Sequence, residues 1–570
     1  MPLFLPQDDP HGGARAQELA AQAAQYSYNR KHMGVLFADS VPKDEHYDPP
    51  YAAKSLSVGK DLFHNRRSQR TSSWPAPDGK LAELSERPAA EAVGDISRHI
   101  VATSDHLPAE RPTELSGYSD LIATLPQPLA LGRVDDDLFF AWQQVAGATP
   151  ITLRGISALP DNFPVDAATY ARALGNADRL DAALAEGRLF LADYKLWDGM
   201  ITGQTSGLQK YLWAPLALFA RLPDGQLHPV AIQGGQRPGP ANPIWTPADG
   251  VAWRMAKTMV TTADMNVNGV VAHFGLCHAV AEAFICISHR QLSLSHPLLH
   301  LLLPHFRYTL AVNETARTSL VNPGGTQETL QSGTLEENFR VINSALADLK
   351  FDRIGARAEF ESRNVADTAR LPVYPFRDDG VPIADALQAW AHDYLSVYYA
   401  DDEAVRADTE VRGWAAELAG PGGFGSMPLL HSVKALSGFV GDMLWRLTGF
   451  HAVINYGGWD ASAWAPGMPS AAFGPGPEAG VGEQQWRNML PPLSVANKLL
   501  ELMHTLAKIH LNKLGDYPAG YFEDARVLPG LARLQAALQN IEAETAARDA
   551  RRPWSFPFLH PAHVPQSIHV

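Results

Sequence analysis

The stretch His273-Phe-Gly-Leu-Cys-His278-Ala-Val-Ala-Glu282 sets two imidazoles and a carboxyl inside the otherwise apolar run from Val270 to Ile287. That run is close to membrane-spanning length, but three ionisable groups would be costly in lipid. It reads as a helix buried on all sides of a protein core. On a regular α-helix, residues five apart point about 140° away from each other. His273 and His278 can therefore face one ion only if the helix is widened locally into a π-type turn, a feature that favours functional sites. Spacing alone leaves the pair undecided between metal ligands and core histidines satisfied by hydrogen bonds.

Further along, Phe450-His451-Ala-Val-Ile-Asn455 places an imidazole and an amide at i and i+4, on one face of a helix. Three imidazoles with an amide oxygen and a carboxylate would suit redox-active iron or manganese, because no thiolate is required. Gly457-Gly458 reads as the end of that helix. His296, His300 and His305 have ligand-like spacings, but Pro297 and Pro304 interrupt the ladder that would keep their rings in register, so structural hydrogen bonding is expected. His504, His510, His560 and His563 show no convergent partner. No His-Glu-x-x-His arrangement occurs, which removes that route to zinc hydrolysis.

The rest of the chain frames these segments. Of its 570 residues 46% are hydrophobic and 19% charged, enough to bury a large core around an internal cavity. A net charge of -14 without a basic run argues against nucleic acid and against a polybasic membrane anchor. Cys277 and Cys286 read as reduced, buried thiols; with no leader visible in MPLFLPQDDP, a cytoplasmic location is expected. Tyr211 to Ile232 alternates as a hairpin turning at Pro223-Asp224-Gly225. Helical periodicity is read over Ala14–Gln25, Ala89–Val101, Val251–Leu294, His300–Ala316, Leu335–Leu349, Ile383–Tyr399, Met427–Trp445, Val495–Leu514 and Leu531–Arg551. The Gly/Pro-rich Ala465–Gly482 reads as a long surface loop. The expected fold is mainly α: one large helical catalytic domain with small antiparallel β elements.

From Asp136 to Val570 the chain resembles the lipoxygenase family. The likeness rests on an ordered series: Asp136-Asp137-Leu-Phe-Phe, Asp193-Tyr194, Ala214-Pro-Leu-Ala-Leu, Pro238 to Ile244, Trp253 with Ala256-Lys257, Arg290 to His305, Asn313 to Leu320, the His451 segment, and Ile541 to Val570. The resemblance implies a non-haem iron site, manganese being the lesser alternative. His273, His278 and His451 would supply the imidazoles, Asn455 a weaker fourth ligand and the terminal carboxylate of Val570 the fifth. Glu282 would sit behind the ligands. The implied reaction inserts O2 into a polyunsaturated fatty acid such as linoleate or arachidonate, after hydrogen abstraction between two cis double bonds, to give a lipid hydroperoxide. Leu320 would press on the pentadiene, Met265 would line the pocket, and Ala316 would favour S products.

Two departures from the family stand out. Relatives commonly carry glutamine where this chain has Gly269 and Gly458, and those amides bridge towards the asparagine ligand; losing both together reads as a rewiring, since one alone would strand a buried amide. The residues before Asp136 are too few and too helical in pattern for the family's usual N-terminal β-sandwich. Residues 1–135 are therefore assigned to an N-terminal helical segment with Ala14–Phe37 as a candidate lid, and 136–570 to the catalytic core. A monomer with at most transient membrane contact is expected. A lipid hydroperoxide isomerase on the same iron, or a silent lipid-binding protein, are the competing expectations.

Overall fold

The structure is a computed structural model that describes residues 2–69 and 110–570, apart from 176, together with the isolated positions 83, 87 and 95. The expected helix Ala89–Val101 therefore lies outside the described residues. The elements that build the site are α1 (Gly12–Gln25), α2 (Pro49–Ser68), α3 (Val251–Asn266), α4 (Val280–Gln291), α5 (Thr309–Ser319), α6 (Leu335–Asp348), α7 (Pro375–Tyr398), α8 (Val433–Trp445), α9 (His451–Ser462), α10 (Leu493–Lys508) and α11 (Leu528–Asp549). Two π-helical segments, Val267–Ala279 and Arg446–Phe450, join α3 to α4 and α8 to α9 without a break. The run Val251–Gln291 is the one helix among the described residues long and apolar enough to cross a membrane, and it is buried inside the protein.

Around this central run pack α6 on the π segment, α1 on α4, α9 against α10, and α7 against both α8 and α11. A five-stranded antiparallel sheet stands to one side: β1 (Arg154–Gly155), β2 (Leu189–Asp193), β3 (Leu216–Arg221), β4 (Leu227–Gln233) and β5 (Ile244–Trp245), in that spatial order. Its central hairpin, β3 to β4, turns through the expected Pro223-Asp224-Gly225 with Gly225 at φ 81. Both faces of these strands are buried, so they read as continuous apolar runs rather than alternating ones.

Several expected boundaries move, each for a tertiary reason. His300–Ala316 is not one helix: the chain turns at Tyr308 (φ 69), whose hydroxyl donates to Asp48 Oδ2 and whose ring lies edge-on to His569. Helix α7 starts at Pro375 and carries Pro382 inside it, because packing on two flanking helices outweighs the missing rung. Helix α8 begins only at Val433, capped by Ser432. Helix α10 stops at Lys508, which frees residues 509–514 to run beside the C-terminal tail. In Ala465–Gly482 the first half is buried and Ala472 bridges to Tyr211, so only its later part is the surface loop expected.

Helix α9 does not end at Gly457-Gly458. It continues to Ser462, and the glycines serve close approach: a Cβ on Gly457 would lie 3.0 Å from the Gly147 carbonyl, and one on Gly458 2.6 Å from Met503 Sδ. The same logic applies at Gly449, where a Cβ would fall 2.2 Å from the Trp445 ring, whereas at Gly438 it would meet nothing within 4 Å. Gly449→Ala is expected to cost about 1–3 kcal/mol by overpacking, while Gly438→Ala is neutral or stabilising through helix propensity. Comparing the thermal unfolding of the two variants checks this; equal midpoints would refute the close-packing role of Gly449.

Candidate metal centre

The π segment Val267–Ala279 carries both His273 and His278, and its wider turn returns the second ring to the side of the first. Their Nε2 atoms lie 3.1 Å apart with the rings nearly perpendicular. His451 arrives from the neighbouring helix; its ring centroid is 5.3 Å from each of the other two. One ligand nitrogen from each of the three lies within 4.8 Å of the others. The second widening, Arg446–Phe450, sits directly before His451 and was not anticipated from sequence. Arg446 closes the two segments together: it donates to the Leu276 carbonyl at 3.2 Å and stacks on Phe450. Asn268 does the same from the other side, donating to Ala148 O and Ile454 O.

Burial holds all three imidazoles neutral. His273 and His451 titrate well below the usual histidine range, mainly because burial disfavours the cation and secondly because neighbouring histidines repel it. Burial likewise lowers His278 to about 4, opposed mainly by its hydrogen bond to Asn313. Neutral rings offer lone pairs to a cation at ordinary pH.

The orientation of His278 follows from a relay. Asn313 Nδ2 donates to Glu282 Oε2 at 2.8 Å and to the His278 carbonyl at 3.1 Å, so its Oδ1, 2.7 Å from His278 Nδ1, must accept. Nδ1 therefore carries the proton and the Nε2 lone pair faces the cluster. Glu282 is pinned in turn by the Ala38 N–H at 2.8 Å. Burial pushes its carboxyl up to about 7 against the pull of those two donors. Glu282 thus meets His278 only through Asn313, a residue quoted in the sequence analysis only as part of a family signature. Its i, i+4 spacing to His278 gave no hint of the intermediary.

The C-terminal tail reaches the same point. Val564 and Gln566 to His569 are almost wholly buried. Leu514 N donates to Val564 O, Gln566 takes bonds from both sides of the 512–515 turn, His305 Nδ1 donates to Gln566 O, and Tyr51 Oη donates to His569 O. Val570 then lies on the cavity wall that His273 and His278 also line. His305 is therefore structural, and so are His296, bonded to Asp408, and His300, bonded to Tyr521 O. Cys277 and Cys286 are buried free thiols.

Two buried atoms of the cluster are without partners: His451 Nε2 and Asn455 Oδ1, the latter held in place by its own Nδ2 donating to Leu506 O at 2.8 Å. Orphaned buried acceptors need a counterpart. Three neutral imidazoles, an amide oxygen and a terminal carboxylate fit a divalent cation of mixed nitrogen and oxygen preference. The fit extends to Asn455, whose expected glutamine bridge is replaced by this backbone bond.

His273, His278 and Val570 form part of the wall of a cavity whose empty volume is about 1230 Å³ including its mouth. Leu320, Ala316 and Met265 all line it, together with Leu499, Leu502 and Leu506 of α10. The proposed lid does not. Ala14–Phe37 is fixed by the Arg15–Glu410 ion pair and by Tyr26 stacked on His289, and it meets the outer side of the cavity wall through His32 at Val321 O and Phe37 against Phe274, while Tyr47 and Tyr51 reach the cavity itself.

The lipoxygenase family pattern matches residues 132–512, more than half of the chain. A linoleate 9/13-lipoxygenase of Pseudomonas aeruginosa is 33% identical over 482 residues, covering 80% of this chain and 70% of that protein. The hydroperoxide isomerase ALOXE3 of Homo sapiens is 31% identical over 445 residues, covering 76% of this chain and 62% of its own length. Among solved structures, a lipoxygenase crystallised anaerobically in complex with arachidonate superposes with a TM-score of 0.87 at 24% identity, over 100% of this chain and 84% of that one. At that identity the likeness establishes the fold.

The relay makes a direct prediction. Asn313→Ala removes the acceptor at His278 Nδ1, and Glu282→Gln sets an N–H against the Asn313 N–H and favours the flipped amide. Each is expected to weaken metal retention about 10- to 100-fold, read by metal analysis after dialysis against graded chelator. Retention equal to the parent in both variants would show that the relay does not orient His278.

Proposed function

The chain belongs to the lipoxygenase family, and from that membership we propose that it is a non-haem iron dioxygenase that inserts O2 into polyunsaturated fatty acids to give S hydroperoxides. The observation that carries this is the convergence of His273, His278 and His451, with His273, His278 and Val570 on the wall of a largely apolar cavity. These four, with Asn455 as the weaker fifth, would hold the iron. When bound, iron supplies the one-electron oxidant that the removal of a hydrogen atom from a bis-allylic methylene requires.

The protein's own contribution is placement and exclusion of water. The leucines of the largely apolar wall would accept a hydrocarbon chain, which on binding would displace water from beside the reacting carbon. Leu320 and Ala316 follow one another on the wall formed by the end of α5, so the first would fix the pentadiene against the imidazoles and the second would leave room for O2 at one carbon. Asn313 and Glu282 keep the His278 lone pair aimed at the site while the substrate reacts. Val570 closes the cluster from the side of the tail, so the last residue of the chain would act as ligand and as apolar plug at once.

Metal analysis of the purified protein, combined with oxygen uptake and conjugated-diene formation on linoleate and arachidonate, is the test. Iron near one equivalent with both activities is expected; metal-replete protein inert on every polyunsaturated fatty acid tried would overturn the reading. Ala316→Gly opens the wall at the position read as stereocontrolling. Chiral analysis should show mainly S product from the parent and a shift towards R in the variant.

A further inference from the structure

The two family glutamines missing at positions 269 and 458 have not left holes. A Cβ on Gly269 would lie 2.3 Å from Gln331 Nε2, and one on Gly458 2.6 Å from Met503 Sδ. The space beside the π segment is thus taken by the amide of Gln331, which reaches in from a different part of the chain. Gln331 lines the cavity, and so does Gln327, four residues before it on the short helix Thr326–Leu330 and the turn that follows. Both side chains are more than nine-tenths buried, and the Oε1 atom of each is without a hydrogen-bond partner.

Nothing about this segment is loose. Gln327 N donates to Leu320 O, Gln331 N donates to Gln327 O, and the buried Lys210 ammonium donates to both the Glu328 and Gln331 carbonyls at 2.6 Å. The two amides are held in an otherwise largely apolar cavity at a cost that a ligand must offset, because an unsatisfied buried amide is unfavourable. Position 269 is four residues before His273, so the Gln331 amide stands roughly 6 Å along the helix axis from the histidine cluster at about 1.5 Å per residue. That is within the span of a fatty-acid chain reacting there.

We infer that Gln327 and Gln331 form a polar subsite for a neutral oxygen substituent, a hydroxyl or hydroperoxide, carried on the hydrocarbon chain of the ligand, so that oxygenated polyunsaturated fatty acids are a preferred ligand class of this cavity. The inference rests on the lipoxygenase reading for the identity of the chain. A neutral group is specified because no lysine, arginine, aspartate or glutamate lines the cavity, and a carboxylate placed against two neutral amides would be a buried charge without a counterion. A hydroxyl can donate to one Oε1 and accept from the other amide. A site that hydrogen-bonds such a group also discriminates against the chain that lacks it, since the amides then stay unpaired.

Anaerobic calorimetric titration of the purified protein with linoleate and with two monohydroxylated linoleates, the hydroxyl at either end of the diene, tests this. At least one hydroxylated acid should bind about tenfold more tightly than linoleate, the effect of hydrogen bonds gained in a dry site. Gln327→Leu and Gln331→Leu should each reduce that ratio of Kd values and the double variant should bring it to about one; Gln331→Met, unbranched like the parent, replaces any leucine variant that fails to fold. Hydroxylated acids that bind no better than linoleate, or a ratio that survives in the double variant, would overturn the subsite. The readout does not use turnover: tight binding of a hydroxylated acid without oxygen uptake on linoleate sinks the dioxygenase reading alone, and uptake without discrimination sinks the subsite alone.

Discussion

Everything at the centre of this molecule depends on the widened helical turn between Val267 and Ala279. A regular helix would send His273 and His278 to different sides of the core and leave each imidazole to find a separate partner. Widening brings both to one point and releases main-chain groups from the ordinary ladder, which other parts of the protein then serve: Arg446 takes the Leu276 carbonyl. The second widening before His451 completes the arrangement from the opposite helix. The two irregular turns are supported by the helices that pack on them, the first leaving one side open to the cavity.

A second constraint acts from the far end of the chain. The tail can deliver Val570 to the histidines only if a corridor exists for it, and the shape of several distant elements is set by that corridor. Helix α10 ends at Lys508, the chain turns at Tyr308 in a left-handed conformation, and His305 and Tyr51 each donate to a tail carbonyl. These features look unrelated in sequence. They share one cause, the need to satisfy the backbone of a buried, extended segment.

The cavity shows how a family feature can be exchanged without loss of packing. Gly269 and Gly458 remove a polar bridge, Gln331 and Met503 occupy the vacated space, and Asn455 is steadied by the Leu506 carbonyl instead. Since Gln331 approaches across the cavity rather than along the helix, the exchange moves a buried amide from behind the cluster to the wall that a ligand would touch.

By itself the sequence determined the helical class, because long 3.6-residue periodicities and the one apolar run with three ionisable groups leave little alternative. It also named the candidate ligands, through the ordered family signatures rather than through local spacing, which left His273 and His278 undecided. It misread Gly457-Gly458 as a helix end and joined His300–Ala316 into one helix, since a glycine that stops a helix and one that admits a neighbour look alike until the neighbour is in place. Only the tertiary structure decided that Asn313 stands between Glu282 and His278, that Tyr47 and Tyr51 reach the cavity, and that Gln331 fills the space beside Gly269. Those are contacts between segments tens to hundreds of residues apart, formed by packing that no local pattern encodes.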